Sequence, residues 1–491
     1  MFATAIRQLR MVSSIALGKR INPRNIEHLI GDAVKTIEEF GTLGDDIQQQ
    51  IEGPFGDPAT RKDLQNGALQ RTARHLARSS PYYRRLFAAH NINPEKLTVD
   101  VMSQIPVTTK KELMEHQRDF ITTDSRPFLS ARTTGTTGLP AEVWVSKYEI
   151  ELWPALNVLS MLLRDEIDLD GCLQINISSR ATVAARMMSA MCGLVGAGVR
   201  ALGIIPPCES VDSLLCDGSK VPTMLSTHPS YLAQLVQEAR YRKLKPCDFH
   251  LRHVYCGGEV LSNVLLHAAK ETLGAEFVHD NYGMTEILPV TARACNQGHL
   301  HHDVNSGFFE VRDLETGEPA ESGALGSLII TPYYPYRECM PVFRYDTHDV
   351  VRCLSGETFA CNMAAIPATS RILGKVDHLL HTNEQIITPR EFIETYESLP
   401  SQPWPARFQA RSTGDFIELV LSEQALDGMT EDDVEQHFQA AGIPVHVIGH
   451  VARQQERYLR SLRADLLETT FTHTGPNQHQ LARSDSKELI L

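Results

Sequence analysis

Residues 24–40 place Ile26, Leu29, Ile30, Val34, Ile37 and Phe40 at the spacing of one helical face, and a second helix is predicted over 60–78, ending before Pro81. From residue 149 the pattern alternates. Helices are predicted near 149–163, 184–196, 230–242 and 262–273, separated by short apolar strands at Leu173–Ile177, Ala201–Ile205, Thr223–Ser226, Val254–Cys256 and Phe277–His279. Such alternation implies a parallel sheet covered by helices, with ligands gathered at the carboxyl ends of its strands. Gly257-Gly258-Glu259 and Asn281 to Glu286 fall at such ends. Phe308–Val311 and Leu328–Thr331 predict a later, more antiparallel segment.

After Gly374 the pattern changes again. Arg407–Arg411 and Phe416–Leu421 flank Thr413-Gly414-Asp415, a hairpin signal. A helix over 430–440, a strand at Val445–Ile448, a helix over 453–468 and a polar tail at 472–491 follow. The expected fold class is α/β: a large N-terminal domain over 1–375 with parallel-rich sheets and a β segment, and a small α+β C-terminal domain over 376–491.

Composition narrows the function. At 491 residues the chain can bury a large core, and 42% hydrophobic with 22% charged residues is the balance of a soluble globular protein. A net charge of −13 argues against nucleic acid, whose phosphates need a basic surface. No apolar run reaches the roughly 20 residues that span a bilayer. Ten scattered cysteines form no disulfide framework and fit a cytoplasmic protein with reduced thiols. Arg7, Arg10, Lys19 and Arg20 make the start basic, which is read as an N-terminal helix or arm rather than a transit peptide.

The stretch that carries chemistry is Thr133-Thr134-Gly135-Thr136-Thr137-Gly138-Leu139-Pro140, with four threonines and two glycines in eight residues. Glycine lets backbone wrap closely around an anion, and hydroxyls add donors along a phosphate chain. The stretch resembles the phosphate-binding loop of the adenylate-forming superfamily, which includes acyl-CoA synthetases, luciferases and peptide-synthetase adenylation domains. Three further stretches resemble that superfamily's motifs in order: Asn281-Tyr282-Gly283-Met284-Thr285-Glu286, Arg344-Tyr345-Asp346-Thr347-His348-Asp349 and Gly374-Lys375-Val376-Asp377. Ser80-Pro81-Tyr82-Tyr83-Arg84 through Ile105-Pro106-Val107-Thr108-Thr109-Lys110 is similar to the phenylacetate–CoA ligase branch.

The resemblance implies ATP, Mg²⁺ and coenzyme A as reactants and cofactors. Thr133, Thr134, Gly135, Thr136, Thr137 and Gly138 would hold phosphates, Thr285 would donate to the α-phosphate, and Glu286 would ligate Mg²⁺, which prefers carboxylate and phosphate oxygens. Asp349 would accept from both ribose hydroxyls. Gly257, Gly258, Glu259, Asn281, Tyr282 and Gly283 would wall the nucleotide, Lys375 takes the place of a hinge arginine, and Asp377 would be the hinge about which a mobile small domain turns. Ser178, Ser179, Arg180, His228 and Tyr231 would line the acyl pocket, with Arg180 or Arg186 able to pair with a second anionic group, whereas Met187, Met188, Met191 and Cys192 read as core filler.

The chain departs from the family in three small ways: Ala141 and Glu142 follow the loop where a lysine is usual, Lys375 replaces arginine, and His348 replaces the glycine before Asp349. A fourth departure is larger. The family places a catalytic lysine in the small domain, and after Lys375 the only lysine is Lys487. The position where it would fall reads Arg453-Gln454-Gln455-Glu456-Arg457-Tyr458-Leu459-Arg460. Either Lys487 or an arginine would supply the charge.

Cys295-Asn296-Gln297-Gly298-His299-Leu300-His301-His302 is dense in zinc-type ligands. Cys256, Cys295, His299 and His301 are the candidate Zn²⁺ ligands, with Cys339 in reserve; a solvated polar loop is the plainer reading. The expected activity is ATP-dependent activation of an aryl or small acyl carboxylic acid as its adenylate, with transfer to coenzyme A. Transfer to an amine or a carrier protein, and a degenerate nucleotide-binding homologue, are the alternatives. No nucleic-acid or membrane partner is expected; a homodimer would fit the resemblance.

Overall fold

The computed structural model describes residues 19–44, 55–132, 141–178, 181–215 and 220–451, together with six positions between Ile6 and Ser14. Helices α1 (Pro23–Phe40), α2 (Pro58–Ser79), α3 (Pro81–Ala89), α4 (Lys110–Glu115) and α5 (Gln117–Phe120) precede a β-ribbon of β1 (Pro127–Arg132) and β2 (Glu142–Ser146). Then come α6 (Lys147–Leu163), β3 (Cys172–Asn176), α7 (Thr182–Val195), β4 (Gly198–Ala201), α8 (Pro207–Leu215), β5 (Met224–Thr227), α9 (Pro229–Tyr241), β6 (His253–Gly257), α10 (Asn263–Leu273) and β7 (Phe277–Tyr282). The predicted helices match within about two residues at each end. Strand β4 lies earlier than the Ala201–Ile205 expected, because the apolar run after it leads into α8, a helix that the pattern did not reveal.

Strands β4, β3, β5, β6 and β7 are parallel neighbours in that spatial order. The sheet continues antiparallel through β8 (Ala292–Ala294), β9 (His299–His302) and β13 (Ala368–Ser370), giving eight strands. A second, four-stranded antiparallel sheet joins β10 (Gly307–Asp313), β11 (Leu325–Pro332), β12 (Tyr345–Arg352) and β14 (Gly374–Lys375). The architecture is α/β, as the alternation implied. Buried Leu173, Ile175, Trp153 and Val158 join Leu328, Ile330 and Phe343 in one apolar core.

Beyond β14, a short pair β15 (Leu380–His381) and β16 (Ile386–Ile387) precedes α11 (Pro389–Glu397), β17 (Phe408–Ser412), β18 (Ile417–Ser422), α12 (Glu431–Ala440) and β19 (Val445–Val451). The expected hairpin at Thr413–Asp415 joins β17 to β18, and β19 pairs parallel with β18. Phe392, Phe408, Leu419 and Phe438 close a core of their own. The helix predicted over 453–468 and the tail lie outside the described residues.

Helix α11 packs its acids on the amino end of α10. Ser262 caps α10, accepting from Leu265 N at 2.9 Å, and its hydroxyl donates to Glu397. Asn263 N donates to both Glu394 oxygens at 2.9 Å. Unpaired amides and the helix dipole favour anions there. Burial nevertheless pushes the Glu397 carboxyl up to about 7, against the Ser262 hydrogen bond and with help from Glu394 and Glu259. A raised acid pKa means that folding takes up a proton, so stability is lost as pH rises from the unfolded carboxylate range through about 7. Thermal unfolding between about pH 6 and about pH 8 is therefore expected to show a larger fall in Tm for wild type than for Glu397→Gln. Parallel pH profiles would refute this.

Candidate active site

Three of the resembling motifs meet at the carboxyl end of the parallel strands. The Tyr282 hydroxyl, at the end of β7, donates to Asp349 Oδ2 at 2.8 Å. Lys375 is the cross-strand partner of Asp349 in the β12–β14 pair, and its Nζ stands 2.8 Å from Asp349 Oδ1 and 3.0 Å from Thr347 O. Asp349 is 5% exposed, so both its oxygens are committed to one donor each while keeping lone pairs for more. Tyr282 is held well above its ordinary pKa, first by burial and then by the Asp349 charge.

The backbone explains the odd residue of this motif. His348 has φ 56°, the left-handed region where glycine is at ease, and β12 slips register against β11 just there. The Thr347 hydroxyl donates to Leu328 O at 2.7 Å and accepts from Asp349 N at 3.1 Å, fixing the bulge that aims Asp349 inward. His348 Nδ1 lies 3.9 Å from the carboxylate of Asp377, which sits in the single 3₁₀ turn Val376–His378.

Glu286 follows in the turn after β7 and is 3% exposed. Burial raises its pKa, its own amide together with Lys375 and Lys110 opposes that rise, and Asp349 adds to it. Lys110 was quoted in the sequence only as part of a resembling segment, yet it belongs here. Thr108 N donates to Arg344 O at 2.8 Å and Asp346 N donates to Thr108 O at 2.9 Å, stitching the chain to the start of β12. Thr109 and Glu112 then form a reciprocal cap, with Thr109 N to Glu112 Oε2 at 2.8 Å and Glu112 N to Thr109 Oγ1 at 3.2 Å. Lys110 is thereby fixed as the first residue of α4. Burial lowers its pKa, and the Glu286 charge opposes that. The signal available in the sequence was Thr109-x-x-Glu112, a helix-start signature that places the intervening lysine on rigid backbone.

Gly257, Gly258 and Glu259 leave β6 beside these groups. A Cβ on Gly257 would meet Asn281 O at 2.8 Å, and Gly258 has φ 84°, so both positions require glycine. His228 Nδ1 donates to Gly257 O at 2.9 Å, which fixes its tautomer, and Glu259 caps the first turn of α9 through Ser230 N at 2.8 Å. Tyr231 is buried and its hydroxyl donates to Ile205 O at 2.6 Å, so it braces the wall. Gly283 is exposed and Thr285 half-buried in the turn that carries Glu286. The phosphate-loop residues Thr133, Thr134, Gly135, Thr136, Thr137 and Gly138, the pocket residues Ser179 and Arg180, and Lys487 lie outside the described residues.

One zinc expectation is corrected. Cys256 packs with Leu225, Val254 and Leu261 in an apolar cluster around α9 and α10, and burial holds its thiol well above its ordinary pKa. Instead Cys295 and His301 are joined by Cys361, which the sequence reading did not select. Cys339 is buried elsewhere, its amide bonded to Glu149 at 3.1 Å.

Comparison with known proteins finds the following similarities. The family model described as AMP-binding enzyme matches residues 98–333. The phenylacetate-coenzyme A ligase of Thermus thermophilus is 26% identical over 328 residues, covering 65% of this chain and 71% of that protein. The phenylacetate-coenzyme A ligase of Escherichia coli is 26% identical over 333 residues, with 65% and 71% covered. Among solved structures, 2-hydroxyisobutyryl-CoA ligase in the postadenylation state superposes with TM-score 0.66 at 19% identity, covering 80% of this chain and 86% of that one. Over the span of that family model the chain is similar to AMP-binding, adenylate-forming enzymes. The curated relatives it resembles are phenylacetate-coenzyme A ligases.

A carboxylate buried beside other charges costs stability when ionised. Glu286→Gln is expected to raise Tm by about 1–3 °C without ligand near neutral pH. Because the Glu286 pKa is raised on folding, the gain should shrink as pH falls into the carboxylate range. A variant less stable than wild type at all pH values would contradict this reading of Glu286.

Proposed function

We propose that the protein activates an aryl or small acyl carboxylic acid with ATP and passes the acyl group to the thiol of coenzyme A. A carboxylate oxygen of the acid attacks the α-phosphorus and pyrophosphate leaves; the thiolate sulfur then attacks the acyl carbon and AMP leaves. The observation that carries this reading is the convergence of Tyr282, Asp349 and Lys375 in direct contact, beside buried Glu286. The names of the related phenylacetate-coenzyme A ligases support the same class.

In this reading Asp349, with a lone pair spare on each oxygen, accepts from the ribose hydroxyls. Tyr282 and the Gly257-Gly258 wall enclose the base, with Glu259 and Asn281 bracing it. Glu286 fits Mg²⁺, because a buried carboxylate whose burial opposes ionisation gains most from a hard cation. When bound, that ion would neutralise phosphate charge. Thr285 and residues 133–138 would serve the phosphates, and Ser179, Arg180 and His228 the acyl group. The residues after 375 form a small domain that pivots at Asp377, whose turn lies between β14 and β15. No covalent enzyme intermediate is needed; catalysis is positioning plus electrostatic stabilisation.

Lys110 answers the shortage of lysines beyond position 375. Fixed on the first turn of α4 and feeling the Glu286 charge, it would supply positive charge to the phosphates. Removing one such stabiliser commonly costs about 10²–10³ in rate. Acid-dependent exchange of pyrophosphate into ATP is expected from wild type, a loss of about 10²–10³ from Lys110→Met, and a loss of less than about tenfold from Lys487→Ala. The reverse ranking would assign the charge to the tail. ATP binding without exchange across a panel of aryl and small acyl acids would leave a nucleotide-binding homologue and end the ligase reading.

A further inference from the structure

The turn between β8 and β9 and the loop before β13 gather soft ligands away from the nucleotide residues. Ligand atoms of Cys295, His301 and Cys361 all lie within 4.8 Å of one another. Cys361 Sγ is 3.4 Å from His301 Nε2, and Cys295 Sγ is 3.7 Å from His299 Nδ1. Sulfur and nitrogen bound tetrahedrally to one zinc ion stand about 3.6 Å apart, so both separations are those of a metal site already closed to ligand distance. His301 Nδ1 donates to Ile366 O at 2.7 Å, which leaves the Nε2 lone pair facing Cys361. That backbone bond is the support that metal-bound histidines regularly have.

The surroundings suit a staple. Residues 354–367 contain neither helix nor strand; half of them are exposed, and Met363 and Ile366 are buried. Their contacts with the rest of the fold include Gln297 Nε2 to Ala360 O at 2.9 Å, His302 N to Pro367 O at 3.1 Å, Ser322 Oγ to Glu357 at 3.1 Å, and the Phe359 ring at 4.6 Å from His299 and 5.4 Å from His301. The opposite wall is rigid, since Cys295 N donates to His299 O at 2.9 Å across a turn in which Gly298 has φ 80°. A loop without helix or strand pairing of its own gains order from a cross-link to the sheet edge.

We propose that Cys295, His301 and Cys361 bind a structural zinc ion, with His299 turning in as the fourth ligand, and that the ion fastens residues 354–367 to the edge of the eight-stranded sheet. Two thiolates and two neutral imidazoles balance the charge of Zn²⁺ and leave no open position for catalysis. The assignment is independent of the reaction proposed above.

The test is the metal content of the full-length protein purified without chelator. About one zinc per chain is expected by mass spectrometry of the elements, remaining after dialysis in Cys256→Ser and falling to about a fifth or less in Cys361→Ser and in His301→Ala. Substitution with Co²⁺ should give a thiolate-to-metal charge-transfer band that Cys361→Ser abolishes. On unmutated protein, a chelator should expose Cys295 and Cys361 to alkylation and speed proteolysis within 354–367. Wild type that holds no zinc after dialysis against it, zinc retained in full by Cys361→Ser, or a Cys295–Cys361 disulfide in the native peptide map would each overturn the proposal.

Discussion

Everything at the candidate site turns on keeping negative charge where water is scarce. Asp349 and Glu286 are both nearly excluded from solvent. The structure answers with cations that the backbone holds in place: Lys375 is set against Asp349 by strand pairing, and Lys110 is set near Glu286 by a capped helix start. Asp349 is almost satisfied by Lys375 and Tyr282. Glu286 is not, since burial still outweighs the two lysines and drives its pKa up. A site that leaves one carboxylate short of positive charge is suited to a ligand that brings it, and under the proposed function this unequal treatment would assign Asp349 to the sugar and Glu286 to the cation.

The two sheets divide the work. Parallel strands present the Gly257-Gly258 wall and the Tyr282 turn from their carboxyl ends, and the antiparallel sheet brings Asp349 and Lys375 across to meet them. The link is local and strained: His348 takes a left-handed conformation that costs a residue with a side chain about 1–2 kcal/mol. That cost bends β12 so that Asp349 faces Tyr282. On the far side, Arg371 reaches from beyond β13 to Asp280 at 2.7 Å and to Leu261 O at 2.6 Å, and Arg390 of α11 reaches the same carbonyl at 2.7 Å. The segment that follows the nucleotide residues is thus held against the strand ends that carry them.

Much of this was legible in the chain. Helical and alternating periodicities located nearly every helix and strand of the parallel sheet, because the helices carry a periodic apolar face and the strands are short apolar runs set between them. Tyr282, Glu286, Asp349 and Lys375 stood out through motif order. What escaped notice was set by contacts distant in sequence. Lys110 looked like any surface lysine at a helix start, and only the pairing of Thr108 with the chain at Arg344 and Asp346 brings it to the site. Cys361 lies 60 positions from His301, in a loop without periodicity. Cys256 was chosen for its nearness to Gly257, but successive residues on a strand point to opposite faces, and its thiol enters the apolar core. Tyr231 likewise sits near the right strand end while spending its hydroxyl on Ile205.

The central claim is that Glu286 is a buried carboxylate held for a cation that arrives with a nucleotide. Calorimetric titration of ATP in the presence and absence of Mg²⁺, into wild type and Glu286→Gln, addresses it directly. The account predicts that Mg²⁺ tightens ATP binding to wild type and that Glu286→Gln weakens binding of the magnesium complex by about tenfold or more, a loss of about 1.4 kcal/mol. No heat of binding with wild type, or the same affinity for the magnesium complex in both proteins, would contradict it.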